Sequence, residues 1–197
     1  MQISDILLRV RTRLRDIKFD SLRFSDNELL DYATSAQNDL IFEFNANLQE
    51  IVRTLNNEDT FILPHNVLSI IAIFLNNTQI PLKAYPLILN NDSSIAIFQK
   101  SSNIYQFTQK LSGNVRVIAN FAGENLTIDS KCVLNALFAD AMVYGIMQRA
   151  LQVETNEANL QRIGFYANAY QQEIQKLRTK LNAQRESKHF ITPFIKV

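Results

Sequence analysis

The chain has 197 residues, of which 47% are hydrophobic and 20% charged, and its formal net charge is +1. That length supports one good hydrophobic core with a smaller module beside it, and that composition excludes a disordered chain. The single cysteine, Cys132, excludes an internal disulfide framework and a cysteine-rich metal site. The apolar runs are too short for a bilayer span or a secretory leader, so the expectation is a soluble protein.

In chain order, Ile3, Ile6, Leu7, Val10, Leu14 and Ile17 recur at helical spacing and predict an amphipathic helix over residues 3–18. Arg9 stands over Arg13 and Arg11 over Arg15 on its remaining sides. After a short connection, Ser25 followed by Glu28 forms a capping box, in which the Ser25 hydroxyl and the Glu28 carboxylate satisfy free N–H groups of a helix start. Asp26 and Glu28 also place negative charge at the positive end of that helix. Leu29, Leu30, Ala33, Ala36, Gln37, Leu40, Ile41 and Phe44 give it a broad apolar stripe. Two helices joined this closely are expected to pack as an antiparallel hairpin.

The period changes over residues 52–128. TFILP, VLSIIAIFLNN, IPLKAYPLIL, SIAIFQ, IYQFTQK and NVRVIANF are short segments rich in β-branched and aromatic residues, punctuated by Asn-Asn, Asn-Asp and Ser-Gly. In the last of them Val115, Val117 and Ala119 alternate with Arg116, Ile118 and Asn120, which predicts a strand with one buried face. A nearly all-round apolar helix is expected from Cys132 to Met147, a pattern that marks it as central. A last long helix is expected over residues 155–186, with Ile163, Tyr166, Tyr170, Ile174, Leu177 and Leu181 as its stripe.

The predicted fold is therefore α+β and mainly helical. Residues 1–51 and 129–186 form a four-helix bundle-like core, made of the N-terminal hairpin and the two C-terminal helices. Residues 52–128 form an inserted antiparallel β module, and residues 187–197 an extended arm. Lys188, His189, Phe190, Ile191, Pro193, Phe194 and Ile195 make that arm apolar and basic without a core of its own. It either folds back or docks on a partner through its phenylalanines. Lys176, Arg178, Lys180 and Arg185 extend the basic character into the preceding helix.

No catalytic constellation accompanies this layout. His65 and His189 have no ligand-spaced companions, and Gly113, Gly123, Gly145 and Gly164 form no phosphate-cradling motif. Cys132, at the start of an apolar helix, reads as packing. The expectation is a protein that is not an enzyme and needs no cofactor or metal. The arginines at positions 9, 11, 13 and 15 spread around their helix and do not form the single stripe of a groove-reading helix. They are expected to meet Asp26, Asp31 and Asp39 across a contact between copies of the chain.

The sequence Arg23, Phe24, Ser25, Asp26, x, Glu28, Leu29, Leu30, followed by Ala36, Gln37 and Leu40, resembles the head–tail adaptor (connector) proteins of tailed bacteriophages. Phe24 stands where many relatives carry tryptophan. The order of elements agrees with that family: a helical hairpin, a β insertion beginning near Leu63-Pro64, an alanine-rich helix and a last long helix. The resemblance implies a closed ring of about twelve copies beneath the portal, with heterologous contacts between subunits. It implies a structural role: extending the DNA channel and offering an attachment surface to tail or nozzle proteins. It implies self-association, portal binding through the 187–197 arm, transient non-specific passage of duplex DNA and no membrane partner. The location would be the virion neck, and the host cytoplasm during assembly. Two alternatives stand beside it: another phage neck or tail-completion ring subunit, and a bacterial helical nucleic-acid-binding or regulatory protein whose basic surface is residues 1–20 and 176–197.

Overall fold

Four helices, two before and two after an antiparallel sheet that curls into half a barrel, make up the α+β fold of the computed structural model, which describes residues 1–17, 22–83, 95–152 and 157–186. The 187–197 arm lies outside the described residues. The chain divides into a helical unit, residues 1–40 and 124 onward, and a β unit, Ile41–Gly123.

In the helical unit, α1 (Ile3–Leu14) buries Ile3, Ile6, Leu7 and Val10 as its spacing predicts. It stops short of residue 18 because Arg15 takes a left-handed conformation at φ 58°. The Arg15 amide donates to the Thr12 carbonyl at 3.2 Å and the Asp16 amide to that of Arg11 at 2.9 Å, which is the Schellman closure of a helix C-terminus. The second helix, α2 (Asp26–Phe44), starts where the capping box places it.

The helix expected from Cys132 begins later. A 3-10 turn, Ala136–Phe138, precedes α3 (Ala139–Gln152). The reason is competition for backbone bonds, since Gln2 bridges Lys131 and the Cys132 amide donates to the Met1 carbonyl at 2.9 Å. Those pairings hold the segment extended. Asn135 then accepts from the Leu137 amide at 2.9 Å and opens the turn. The expected central position of α3 is found: α1 and α4 (Glu157–Glu186) both pack on it. At Gly145 a side chain would meet the Tyr170 ring at 3.2 Å and the Ala36 methyl at 3.3 Å, so the glycine permits this close approach.

The β unit contains β1 (Leu48–Ile62), β2 (Val67–Leu75), β3 (Thr78–Ile80), β4 (Ile97–Gln99) and β5 (Ile104–Phe121). Its organiser is β5. One edge pairs along β1, while the other is shared, by β2 at the C-terminal half and by β4 at the N-terminal half. A parallel bridge from Leu82 to Ile97 links the β3 side to β4 and draws the sheet into its curl. Inside, Phe61 stacks on Tyr105 and meets Phe107 at a tilt, with ring centroids 5.6 Å apart in each pair. Val115, Val117 and Ala119 are buried as alternation predicts.

Two breaks were expected where the strands in fact continue. Ser112-Gly113 is not a turn: IYQFTQK and NVRVIANF belong to one strand, and the extra curvature is taken up by a bulge in which Asn57 adopts φ 58° opposite Ser112. Likewise β1 begins at Leu48 and runs through the Asn56-Asn57 pair. Asn76-Asn77 does turn the chain. Both residues have positive φ (47° and 69°), the type I′ geometry that matches the twist of a two-residue hairpin.

Candidate functional site

The motif at residues 23–28 is built into a corner that joins α1 to α2. Its first half is the capping box: the Ser25 amide donates to a Glu28 carboxylate oxygen at 2.8 Å, and the Glu28 amide donates to the Ser25 hydroxyl at 3.2 Å. The bond from the Ser25 amide, and after it the one that the Ser25 hydroxyl donates to the same carboxylate at 2.8 Å, hold the Glu28 carboxyl below its ordinary pKa. Its second half is Asp16, a residue outside the motif. The buried Asp16 carboxylate accepts from the amides of Arg23 at 2.7 Å and Phe24 at 3.3 Å, and from the Arg11 guanidinium at 2.7 Å. Arg11 also reaches the Phe24 carbonyl at 3.0 Å and the Asp26 carboxylate at 2.6 Å. Phe24 is buried, and Arg23 lies over its ring at 5.4 Å.

The charges expected to meet across copies are mostly engaged within the chain. Arg9 pairs with Asp140, which Arg13 also approaches at 3.7 Å. Asp39 pairs with Arg149, and Arg11 and Asp26 with each other. Arg15 and Asp31 are exposed and have no ion-pair partner among the described residues. On the last helix Lys176 pairs with Glu173 at 2.6 Å, which raises the lysine pKa. Lys188, His189, Phe190, Ile191, Pro193, Phe194 and Ile195 lie outside the described residues.

Beside the corner opens a cleft of about 260 Å³ lined by Arg13, Leu14, Arg15, Arg23, Leu151, Arg162 and Tyr166. The end of α1 supplies Arg13 to Arg15, the connection supplies Arg23, α3 supplies Leu151, and α4 supplies Arg162 and Tyr166 one turn apart. Among the described residues no carboxylate lines it. Sequence reasoning saw the α1 arginines and Arg23 but missed Arg162 and Tyr166. Their i, i+4 spacing was the available signal, yet Tyr166 reads equally well as part of an apolar stripe.

The described residues include no group of three or more His, Cys, Asp or Glu side chains that could hold a metal ion, and no helix among them is long and apolar enough to cross a membrane. Cys132 is buried and its thiol donates to Gln37 Oε1 at 3.0 Å; burial raises its pKa. A protonated thiol facing an amide is a poor nucleophile. In comparison with known proteins, the chain matches no protein-family model and no curated sequence.

Proposed function

We propose that the chain is a structural head–tail adaptor of a tailed bacteriophage, a ring-forming subunit that sits beneath the portal, continues the DNA channel and carries the tail or nozzle. The observation that carries this reading is the Arg23 to Glu28 helix start. It resembles the family's helix start, with Phe24 in place of the usual tryptophan, and it is held as a closed corner by Asp16 and Arg11, which ties the end of α1 to the start of α2. Identical corners are what a ring needs, because small angular errors between repeated subunits accumulate and prevent closure.

The β unit supports the same reading. Strand β1 is an edge of the sheet over its 15 residues, paired only through β5 among the described residues, and it exposes Leu48, Val52 and Ile62. A long edge with apolar side chains is a surface that association covers. The near-neutral net charge of +1 suits a channel through which DNA slides without sticking.

Light scattering behind size exclusion, on the protein alone and mixed with the cognate portal protein, tests the proposal. The expected result is a ring-sized particle in one of the two samples, with portal binding lost when the chain is truncated after Glu186. A monomer or dimer indifferent to the portal overturns it.

A further inference from the structure

The solvent face of the β unit carries a second cleft, of about 390 Å³, lined by Val52, Asn76, Asn77, Asn114 and Arg116. We infer that it is a binding site for a neutral saccharide, whose hydroxyls its amide and guanidinium groups recognise. The inference concerns the β unit alone and rests on neither a ring nor a portal.

Strand register assembles the lining. Val52, Arg116 and Phe74 stand side by side on β1, β5 and β2, and two residues further along Thr54 stands opposite Asn114. This row faces away from the core, since Val115 and Val117, which alternate with it, are buried. The Asn76-Asn77 turn bounds one end. There the Asn76 amide donates to the Asn114 carbonyl at 2.9 Å, and the Asn114 amide donates to Asn76 Oδ1 at 3.0 Å. The Thr54 hydroxyl donates to Asn114 Oδ1 at 2.9 Å, so two of the three amide side chains are fixed before any ligand arrives.

Much of the hydrogen-bonding capacity is left over. The Nδ2 groups of Asn76 and Asn114 and the whole amide of Asn77 have no partner among the described residues. Arg116 lies over the Phe74 ring at 4.4 Å, and the Glu50 carboxylate is 3.7 Å from it, beyond hydrogen-bond distance. Its Nε is enclosed and makes no hydrogen bond among the described residues. The turn accounts for asparagine at positions 76 and 77, both at positive φ. It does not account for Asn114, in a strand where asparagine is disfavoured, nor for an arginine held over a ring in the middle of a solvent face.

The mixture of groups selects the ligand. An amide both donates and accepts, and so does a hydroxyl, so this lining matches an unionised polyhydroxyl compound. Glu50 offsets the Arg116 charge, which disfavours an anion. A strand of nucleic acid needs open ring faces and a basic groove, whereas here the Phe74 face is covered by Arg116 and a carboxylate stands beside it. Val52, 59% exposed, offers apolar surface to the C–H face of a pyranose. The volume lies within the range of small-molecule sites, about 300–1,000 Å³, so a free sugar or the end of a longer glycan can enter.

Saturation-transfer NMR on the full chain reads the ligand and tolerates an assembly of any size. The probes are glucose, galactose, mannose and N-acetylglucosamine, with adenosine as a planar neutral comparison. The expected result is transfer to at least one sugar at millimolar affinity, weakened about tenfold by Arg116→Leu and about threefold by Asn77→Gly. Asn77→Gly keeps the turn, since glycine adopts φ 69° freely, and Arg116→Leu keeps an apolar contact with Phe74. Arg53→Gln is the control that leaves binding unchanged, because Arg53 stands opposite Val115 on the other face of the sheet. Tighter binding of an oligomer of the preferred sugar identifies a polysaccharide as the source; equal binding identifies a free sugar. Transfer to none of the four sugars, transfer to adenosine alone, or transfer that both variants leave intact in a folded protein overturns the inference.

Discussion

Asp16 and Arg11 form the node of the molecule's first corner, with the Asp16 carboxylate 2.7 Å from the Arg11 guanidinium and 2.7 Å from the Arg23 amide nitrogen. The aspartate is buried, and three donors from two segments converge on it. Asp16→Ala removes the acceptor and leaves the Arg11 charge and two amides without it, a loss of about 3 kcal/mol by comparison with other broken buried pairs. Asp16→Asn keeps the shape and an acceptor oxygen, and is expected to lose less. Urea unfolding curves of the two variants check the order. Equal stability of Asp16→Ala and the parent would mean that the corner is held by packing of Phe24 alone.

The capping box predicts a smaller effect with a pH signature. Ser25→Ala removes the acceptor for the Glu28 amide and is expected to cost about 1 kcal/mol. Glu28 has its pKa lowered in the folded chain. A lowered carboxyl pKa contributes stability that is present above the unfolded-state value and disappears as pH falls through the folded value. Glu28→Gln should therefore differ from the parent at neutral pH and converge with it in acid. Thermal melts from neutral pH down to about pH 3 measure this; a difference that stays constant over that range would rule out the ionised carboxylate as the cause.

How far the sequence revealed these features depended on the range of the forces that set them. The capping box is local, so Ser25 and Glu28 were legible from a three-residue spacing. The Asn76-Asn77 turn was legible for the same reason, because asparagine tolerates positive φ. Asn56-Asn57 carries the same dipeptide and lies inside a strand, since its meaning is set by Ser112 across the ladder. Asp16 belongs to no local motif; its role comes from amides that folding brings back to it. Cys132 looked helical because periodicity does not register that Met1 and Gln2 compete for its backbone. Half of the arginine cleft was readable along α1, while Arg162 is placed there only by packing of α4.

Asn120 shows the same dependence in the β unit. It was expected on the open face of its strand and is fully buried. Its Nδ2 donates to the Ile41 carbonyl at 2.8 Å, and its Oδ1 accepts from the Asn47 amide at 3.2 Å, tying the end of α2 and the start of β1 to β5. Asn120→Leu fits the space with apolar atoms but leaves the part-buried Asn47 amide without its acceptor and the Ile41 carbonyl with only the Ala46 amide at 3.1 Å, for an expected loss of about 1 kcal/mol. Amide exchange is the discriminating measurement, because the Asn47 amide should lose protection well before the strand amides of β5.

Gly113 offers a test of backbone geometry rather than contact. It adopts φ 140°, and a Cβ there would come within 2.6 Å of the Asn76 side chain. That side chain is engaged, its Oδ1 accepting from the Asn114 amide at 3.0 Å. Gly113→Ala therefore forces an unfavourable φ and pushes Asn76 out of its bond, and the expected cost is about 2 kcal/mol. Asn76→Gly in the same background should restore part of the loss, since it removes the obstructing side chain and keeps the turn's positive φ. If the double variant is no more stable than Gly113→Ala, the whole cost lies in the backbone of residue 113 and the contact with Asn76 is immaterial.

Cys132 gives a prediction with a chemical readout. Burial raises its pKa and the thiol donates to Gln37, so in the folded protein it should react far more slowly with a disulfide reagent than in denaturant. Because the folded pKa is the higher one, this group stabilises the fold fully below the unfolded thiol's range, and that contribution is lost as pH rises through the folded value. Gln37 Oε1 also accepts from the Val133 amide at 3.2 Å, so Gln37→Leu should both destabilise the helical unit by about 2 kcal/mol and accelerate thiol modification. Rates measured across a range of reagent concentrations separate the two effects: modification limited by unfolding becomes independent of reagent, whereas a thiol exposed in the native state reacts in proportion to it. The second behaviour in the parent protein would show that Cys132 is reached without opening the unit.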